Sequence, residues 1–208
     1  MFGFPSLMRN SLGAIAVSAL NLMAGLYGDA GVAAMSVVGR VMMVTNAFLI
    51  GLWKGFQPVL GYNWGAKLFS RVKLALDATI CMGMALMAAL GTLGFVFAPE
   101  VIGFFEVNDL EVLAIGVLAL RLQCAVALLT PTNVIGNMAF QVIGRAGVAT
   151  LLAATRQGLF FLPFILLLPG YFGILGVQMA QPLAEMCSFI VCGYFLWHFR
   201  KEVKDRLN

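Results

Sequence analysis

The chain has 208 residues, of which 62% are hydrophobic and only 11% are charged. A soluble domain is about half apolar and about a quarter charged, so this composition excludes a soluble enzyme. A chain this apolar is not intrinsically disordered either. The net charge is +4, but in a membrane protein the positions of the charges matter more than their sum, and we expect no nucleic-acid partner.

Six apolar segments follow one another along the chain, and ~20 apolar residues suffice to cross a bilayer. We predict an all-α polytopic membrane protein with six transmembrane helices in a single bundle over residues 1–208. The predicted spans lie at about 4–26, 31–60, 75–97, 112–143, 149–168 and 173–197. Proline kinks a helix, so Pro58 and Pro131 predict long, bent helices in the second and fourth spans.

The loops between the spans alternate in charge. Segments 61–74 and 144–157 and the tail 198–208 hold nine Lys and Arg residues, whereas loops 27–30, 98–111 and 169–172 hold none. Basic residues are enriched on the cytoplasmic side. We therefore expect a multi-pass protein of the bacterial cytoplasmic (inner) membrane with a cytoplasmic basic tail and both termini inside. The nine basic residues are Lys67, Arg71, Lys73, Arg145, Arg156, Arg200, Lys201, Lys204 and Arg206.

Several charged residues fall inside the predicted spans. Arg9, Lys54 and Asp77 lie near span ends, where the side chain can reach the headgroups without any function. Arg121 fits an outer-leaflet or structural role as well as a functional one. Arg40 and Glu185 lie near mid-membrane, where a charge is costly and normally faces protein or water.

Polar side chains form seams along four of the six predicted helices. A single seam is readily explained as hydrogen-bonding glue between helices, worth ~0.6 kcal/mol per contact. Four seams together predict a water-accessible cavity, because lipid cannot satisfy polar groups. The members, in spans six, four, two and one, are Gln178, Gln181, Glu185, Ser188 and Cys192; Gln123, Thr130, Asn133, Asn137 and Gln141; Ser36, Arg40 and Lys54; and Asn10 and Asn21.

The sequence contains no recognisable catalytic or cofactor-binding motif. Its one histidine, His198, lies at the end of the sixth span, and its four cysteines lie inside apolar segments without metal-binding spacing. There is no nucleotide-binding loop. We therefore expect no enzyme activity, no metal site and no cofactor. Transport would be coupled to a proton or sodium gradient, with Glu185 as the deeply placed acid.

Three stretches of the sequence resemble the multidrug and toxic compound extrusion (MATE) transporters. They are residues 55–67 (GFQPVLGYNWGAK) with Arg71-Val72-Lys73, residues 27–30 with 33–35, and residues 156–158 through 166–169 to 178–182. Residues 3–7 also resemble the start of that family's seventh helix. The resemblance covers nearly the whole chain and is strongest to the bacterial multidrug exporters. It implies the C-terminal six-helix half of a twelve-helix fold, with an N-terminal half or a second copy as partner.

The resemblance also implies a function. MATE transporters exchange protons or sodium for amphipathic, mostly cationic xenobiotics by alternating access. In proton-coupled members an Asp in the first helix is central, and that helix is not in this chain. Some sodium-coupled members carry an acid in the seventh helix, where this chain has Arg9 and Asn10. Glu185 falls where relatives often have an Asp after Gln-Pro.

We expect one substrate- and cation-binding site, in which Arg40 holds a carboxylate ionised or guards the cleft. Two alternatives stay open. A flippase for lipid-linked oligosaccharides would use basic residues to meet phosphates, and a non-transporting fragment or interaction module would use none of the site. The expected site residues are Glu185, Gln181, Gln178, Asn137, Asn133, Gln141 and Arg40.

Overall fold

A computed structural model describes residues 3–105 and 109–206, with side chains from Ser11 onward. All regular structure in these residues is helical, which confirms the predicted all-α class. The helices are α1 (Gly3–Gly25), α2 (Asp29–Gly65), α3 (Phe69–Val96), α4 (Ala98–Phe105), α5 (Leu110–Val126), α6 (Thr130–Val142), α7 (Ala146–Ala154), α8 (Phe161–Phe172) and α9 (Ile174–Asp205).

Five helical units within the described residues are long and apolar enough to cross a membrane. They are α2, α3, the α5–α6 unit, the α7–α8 unit and α9. In α1, the apolar stretch with described side chains is Ser11–Gly25, which is shorter than the others. A sixth crossing by residues 4–26 therefore stays a prediction.

Two of the membrane-crossing units change helix type in their interior. A 3₁₀ turn at Ala127–Leu129 separates α5 from α6, directly before Pro131, as the missing backbone donor of proline favours. A π-helical turn at Thr155–Phe160 joins α7 to α8. Pro58, by contrast, lies inside an uninterrupted α2. The break expected in the fourth span is present, and the fifth span has one that the sequence did not indicate.

Some helices begin or end outside the predicted bounds. The predicted loop 98–111 contains α4, and the Asp109 side chain then caps α5 by accepting hydrogen bonds from the backbone of Glu111 and Val112. The tail expected from residue 198 onward continues α9 as far as Asp205, because Phe199 and Val203 remain buried at helical spacing. Residues 106–108 and 207–208, which include the acidic Glu106, lie outside the described residues.

The buried apolar side chains form two clusters rather than one. One cluster includes Leu49 of α2, Phe140 of α6 and Phe199 of α9. The other includes Val38 at the start of α2 and Val177 at the start of α9. Both long helices therefore contribute to both clusters, and each has a middle zone, from residue 39 to 48 and from 185 to 190, that adds no fully buried apolar side chain to either cluster. That middle zone is where the predicted polar residues lie.

Close approach of α6 and α9 sets the geometry of the middle zone. A Cβ atom added to Gly136 would lie 2.6 Å from the Cys192 sulfur and 3.2 Å from Leu196. The Cys192 thiol donates a hydrogen bond to the Thr132 carbonyl across the same contact. Since Asn133 precedes Gly136 by about one helical turn, this packing presses its amide against α9.

Candidate functional site

Glu185 is the centre of a buried hydrogen-bonded network on α9. Its side chain is 5% exposed. The Asn133 amide donates to the carboxylate Oε1 at 3.0 Å and to the Glu185 backbone carbonyl at 3.1 Å. The Arg156 guanidinium donates through Nε to Oε2 at 2.7 Å. Both carboxylate oxygens thus have a donor, as a buried charge requires.

Arg156 reaches Glu185 from the π-helical turn between α7 and α8. Its side chain is 27% exposed, so it is far less buried than its partner. Single π turns inside α-helices occur frequently at functional sites. Arg156 was predicted both in the basic segment 144–157 and in the span 149–168. In the structure α7 begins at Ala146, so Arg156 lies well inside the helical unit and not in a loop.

A large cavity of about 810 Å³ lies beside this pair. Its volume falls in the range of about 300–1,000 Å³ that holds drug-sized ligands. Its lining includes methionines from α2 and α6. It also includes amide side chains from α1, α2, the α5–α6 unit, the α7–α8 unit and α9. The polar and charged lining residues are Asn21, Ser36, Arg40, Asn46, Gln123, Asn133, Asn137, Arg156, Gln157, Gln181 and Ser188.

A second, small cavity of about 80 Å³ is also lined by Arg156. Glu185 lines the small cavity together with Gln157 and Gln181. Arg156, Gln157 and Gln181 line both cavities. Of the two partners in the ion pair, Arg156 lines both cavities and Glu185 lines only the small one.

Several buried acceptor atoms around the network have no partner among the described residues. They are the side-chain oxygens of Asn133, Gln157 and Ser188. All three residues line the large cavity. A buried polar atom without a hydrogen bond is costly, so these oxygens are available to water or a ligand.

Comparison with known proteins identifies the family of the chain. The MatE family model matches residues 5–167. The chain belongs to the MATE family. It is 24% identical over 206 residues to the multidrug export protein MepA of Staphylococcus saprophyticus, and this alignment covers 99% of this chain and 44% of that protein. To the MepA of Staphylococcus aureus strain NCTC 8325 it is 24% identical, with 89% and 41% covered.

Solved structures of MATE transporters share the fold. An outward-facing multidrug resistance MATE transporter superposes with a TM-score of 0.86, and an inward-facing one with 0.87, both at 24% identity. A transporter from Pyrococcus furiosus, described as having a binding pocket of reverse polarity, gives 0.88 at 23% identity. Each match covers at least 98% of this chain but at most 47% of the other. The chain spans less than half the length of the relatives it matches.

The MATE fold brings together most of the expected site residues, but not all of them. Glu185 and Asn133 bond to each other, while Arg40, Asn137 and Gln181 line the large cavity. Gln178 and Gln141 line neither cavity. The Gln178 amide donates to the Ile115 carbonyl, and that of Gln141 donates to the Asn137 side chain.

Arg156, rather than Arg40, pairs with the carboxylate in this MATE chain. Arg40 is exposed on the cavity wall and forms no ion pair among the described residues. The sequence held one signal for Arg156. Gly144 adopts a positive φ of 82°, a conformation that glycine favours where a helix ends. A helix starting just after Gly144 places Arg156 about one turn further inside the helical unit than the predicted span 149–168 did.

Proposed function

We propose that the chain forms one half of a MATE-type antiporter that exports amphipathic, mostly cationic organic compounds. The observation that carries this proposal is the cavity of about 810 Å³ beside the buried carboxylate of Glu185. Apolar and methionine side chains suit the body of an amphipathic substrate, and the carboxylate suits its positive charge. Transporters commonly bind substrate where two repeats meet near the bilayer midplane.

The second wall of the site would come from a partner. The chain covers 44% of the Staphylococcus saprophyticus MepA protein, so an N-terminal half or a second copy would complete the cleft. The fold of this chain is about equally similar to an outward-facing and an inward-facing MATE structure, with TM-scores of 0.86 and 0.87. This supports alternating access by movement of one bundle against another with little change inside this one.

Glu185 is the proposed site of ion coupling. An ionised carboxylate attracts a cationic substrate, and binding of a proton removes that attraction on the side where the substrate leaves. A sodium ion at the carboxylate would act in the same sense, and the unpaired Asn133 oxygen is an available neighbour. Asn133 holds the carboxylate in place through Oε1. We also propose the bacterial inner membrane, with the basic loops and both termini in the cytoplasm.

Transport of tetraphenylphosphonium by reconstituted proteoliposomes under an imposed pH or sodium gradient tests this function. We expect Glu185→Gln to reduce gradient-driven transport by about tenfold or more, because a charge-assisted contact to the substrate is lost. Glu185→Asp is the matched control, because it keeps the carboxylate. Equal transport by wild type and Glu185→Gln would refute the coupling role. A chain that neither binds nor transports the probe would be a non-transporting module.

A second candidate function is favoured by the basic wall of the cavity. Arg40 and Arg156 both line it; among the described residues Glu185 pairs with Arg156, and no carboxylate pairs with Arg40. Guanidinium groups bind phosphates and carboxylates well. An anionic amphipath, such as a lipid-linked phosphate, would use this wall. Tetraphenylborate matches tetraphenylphosphonium in shape, so tighter binding of the borate would favour this second function.

A further inference from the structure

Arg156 neutralises Glu185 through a single hydrogen bond. The bond joins Arg156 Nε to Oε2 at 2.7 Å. Arginine and carboxylate often pair through two parallel bonds, but here the terminal nitrogens of Arg156 make no hydrogen bond to the described residues. The guanidinium is therefore held at one edge only, and its other donors are directed elsewhere.

The position of Arg156 gives it room to leave the carboxylate. The residue lines both the large and the small cavity, and more than a quarter of its side chain is exposed. It lies on the π-helical turn Thr155–Phe160, in which the regular i→i−4 bonding of the helix is interrupted. Glu185, by contrast, is fixed at its other oxygen by Asn133. Of the two charged partners, the arginine is the one free to move.

We propose that Arg156 is a tethered counter-ion that competes with the cationic substrate for Glu185. This inference rests on the proposed role of Glu185 in substrate binding. When the cavity holds no substrate, the guanidinium neutralises the buried carboxylate, which would otherwise be a costly unpaired charge. When a cation binds, its charge replaces the guanidinium beside Oε2, and Arg156 turns away from the carboxylate.

Competition has a direct consequence for affinity. Each substrate cation must displace the charge-assisted hydrogen bond of Arg156 before it gains its own ionic contact with the carboxylate. Arg156 therefore weakens cation binding in wild type and speeds release, since the guanidinium returns to the carboxylate as the substrate departs. A residue with a purely structural role would have the opposite effect, because its loss would loosen the site.

Binding of tetraphenylphosphonium to the chain in nanodiscs at constant neutral pH tests the inference. We expect Arg156→Gln to bind the cation about tenfold more tightly than wild type, because no competing donor must be displaced. Glu185→Gln should bind it more weakly. In the Glu185→Gln background the gain from Arg156→Gln should be smaller than in wild type, because no carboxylate is left for the arginine to compete for. Tetraphenylborate, the matched anion, should gain no affinity from Arg156→Gln.

The outcomes separate the two proposals. If Arg156→Gln binds the cation equally or more weakly while Glu185→Gln still weakens binding, the competition is refuted and the site survives. If Glu185→Gln leaves binding unchanged, the proposed site itself is wrong. Should Arg156→Gln fail to fold, Arg156→Met removes the charge and the donors but keeps an unbranched side chain. We expect it to bind the cation more tightly than wild type, and weaker binding would refute the inference.

Discussion

At the scale of single residues, ion pairs with arginine hold several acidic side chains in place. Asp77, which the sequence placed near the inner end of its span, accepts a hydrogen bond from Arg200 at 2.6 Å. Glu202 accepts from both Arg145 and Arg206. These pairs lie at the end of the bundle that carries the basic loops. Glu185 is different, because its pair is buried in the middle of the protein.

We expect the ion pairs of Glu202, which lies outside the predicted spans, to weaken in acid. The hydrogen bond from Arg145 lowers the pKa of Glu202, desolvation opposes this, and the charges of Arg145 and Arg206 add to the lowering. A lowered folded-state pKa stabilises the fold at pH values above the unfolded pKa, and this is lost as pH falls through the folded pKa. We expect Arg145→Gln to cost at most about 1 kcal/mol at neutral pH, because the pair is about one-third exposed.

Thermal unfolding in detergent, measured from neutral pH downward, checks this expectation. The difference between wild type and Arg145→Gln should shrink as Glu202 becomes protonated. Lys204→Gln is the matched control, since Lys204 is an exposed cation of α9, the helix that carries Glu202, and has no ion pair among the described residues. A difference that stays constant across the titration would show that the ion pair does not cause it.

At the scale of helices, close backbone contact fixes the hairpin of α8 and α9. Gly176 lies against the backbone of Leu168 and Pro169, and an added Cβ would overlap it. Backbone atoms cannot move aside as a side chain does, so we expect Gly176→Ala to destabilise the chain by about 1–3 kcal/mol. Gly170→Ala in α8 is the control, because nothing lies within 4 Å of its added Cβ. Unfolding in detergent by a chemical denaturant measures both variants, and equal stability would contradict the contact.

The sequence predicted the helices better than it predicted their ends. Apolar length alone indicated the long helical units, and a polar seam at helical spacing placed Glu185, Gln181 and Ser188 on one face of α9. Asn133 was predicted to share one site with Glu185, and the Asn133 amide donates a hydrogen bond to the Glu185 carboxylate. The π turn at Thr155–Phe160 has no comparable sequence signal. The pairing of Arg156 with Glu185 was missed, because the two residues are 29 apart in the sequence and lie on different helices, and such pairing depends on tertiary packing.

At the scale of the whole molecule, two apolar clusters enclose a polar middle. This arrangement leaves the cavity lined by side chains that lipid cannot satisfy, whereas large apolar side chains elsewhere are exposed on the outer surface, among them Leu166, Leu167 and Ile190. Asn137, which donates to the Ala149 carbonyl, ties α6 to α7 at the edge of the cavity. The polar residues therefore both join the helices and line the large cavity. Water can enter a transport cavity, whereas it cannot reach polar residues that only hold helices together, so water access distinguishes the two.

Substituted cysteines measure that access directly. Ser36 lines the large cavity, whereas Leu166 is 57% exposed on the outer surface and lines neither cavity. Both lie at similar depths, about seven residues from the start of α2 and about six from the end of α8 by the helical rise. In a chain in nanodiscs whose native cysteines are replaced by alanine or serine, we expect a membrane-impermeant maleimide to label Ser36→Cys at least about tenfold faster than Leu166→Cys, because thiolate chemistry requires water. The more exposed residue should thus react more slowly. Faster labelling of Leu166→Cys would show that Ser36 does not face a wet cavity and that the polar seams only hold the helices together.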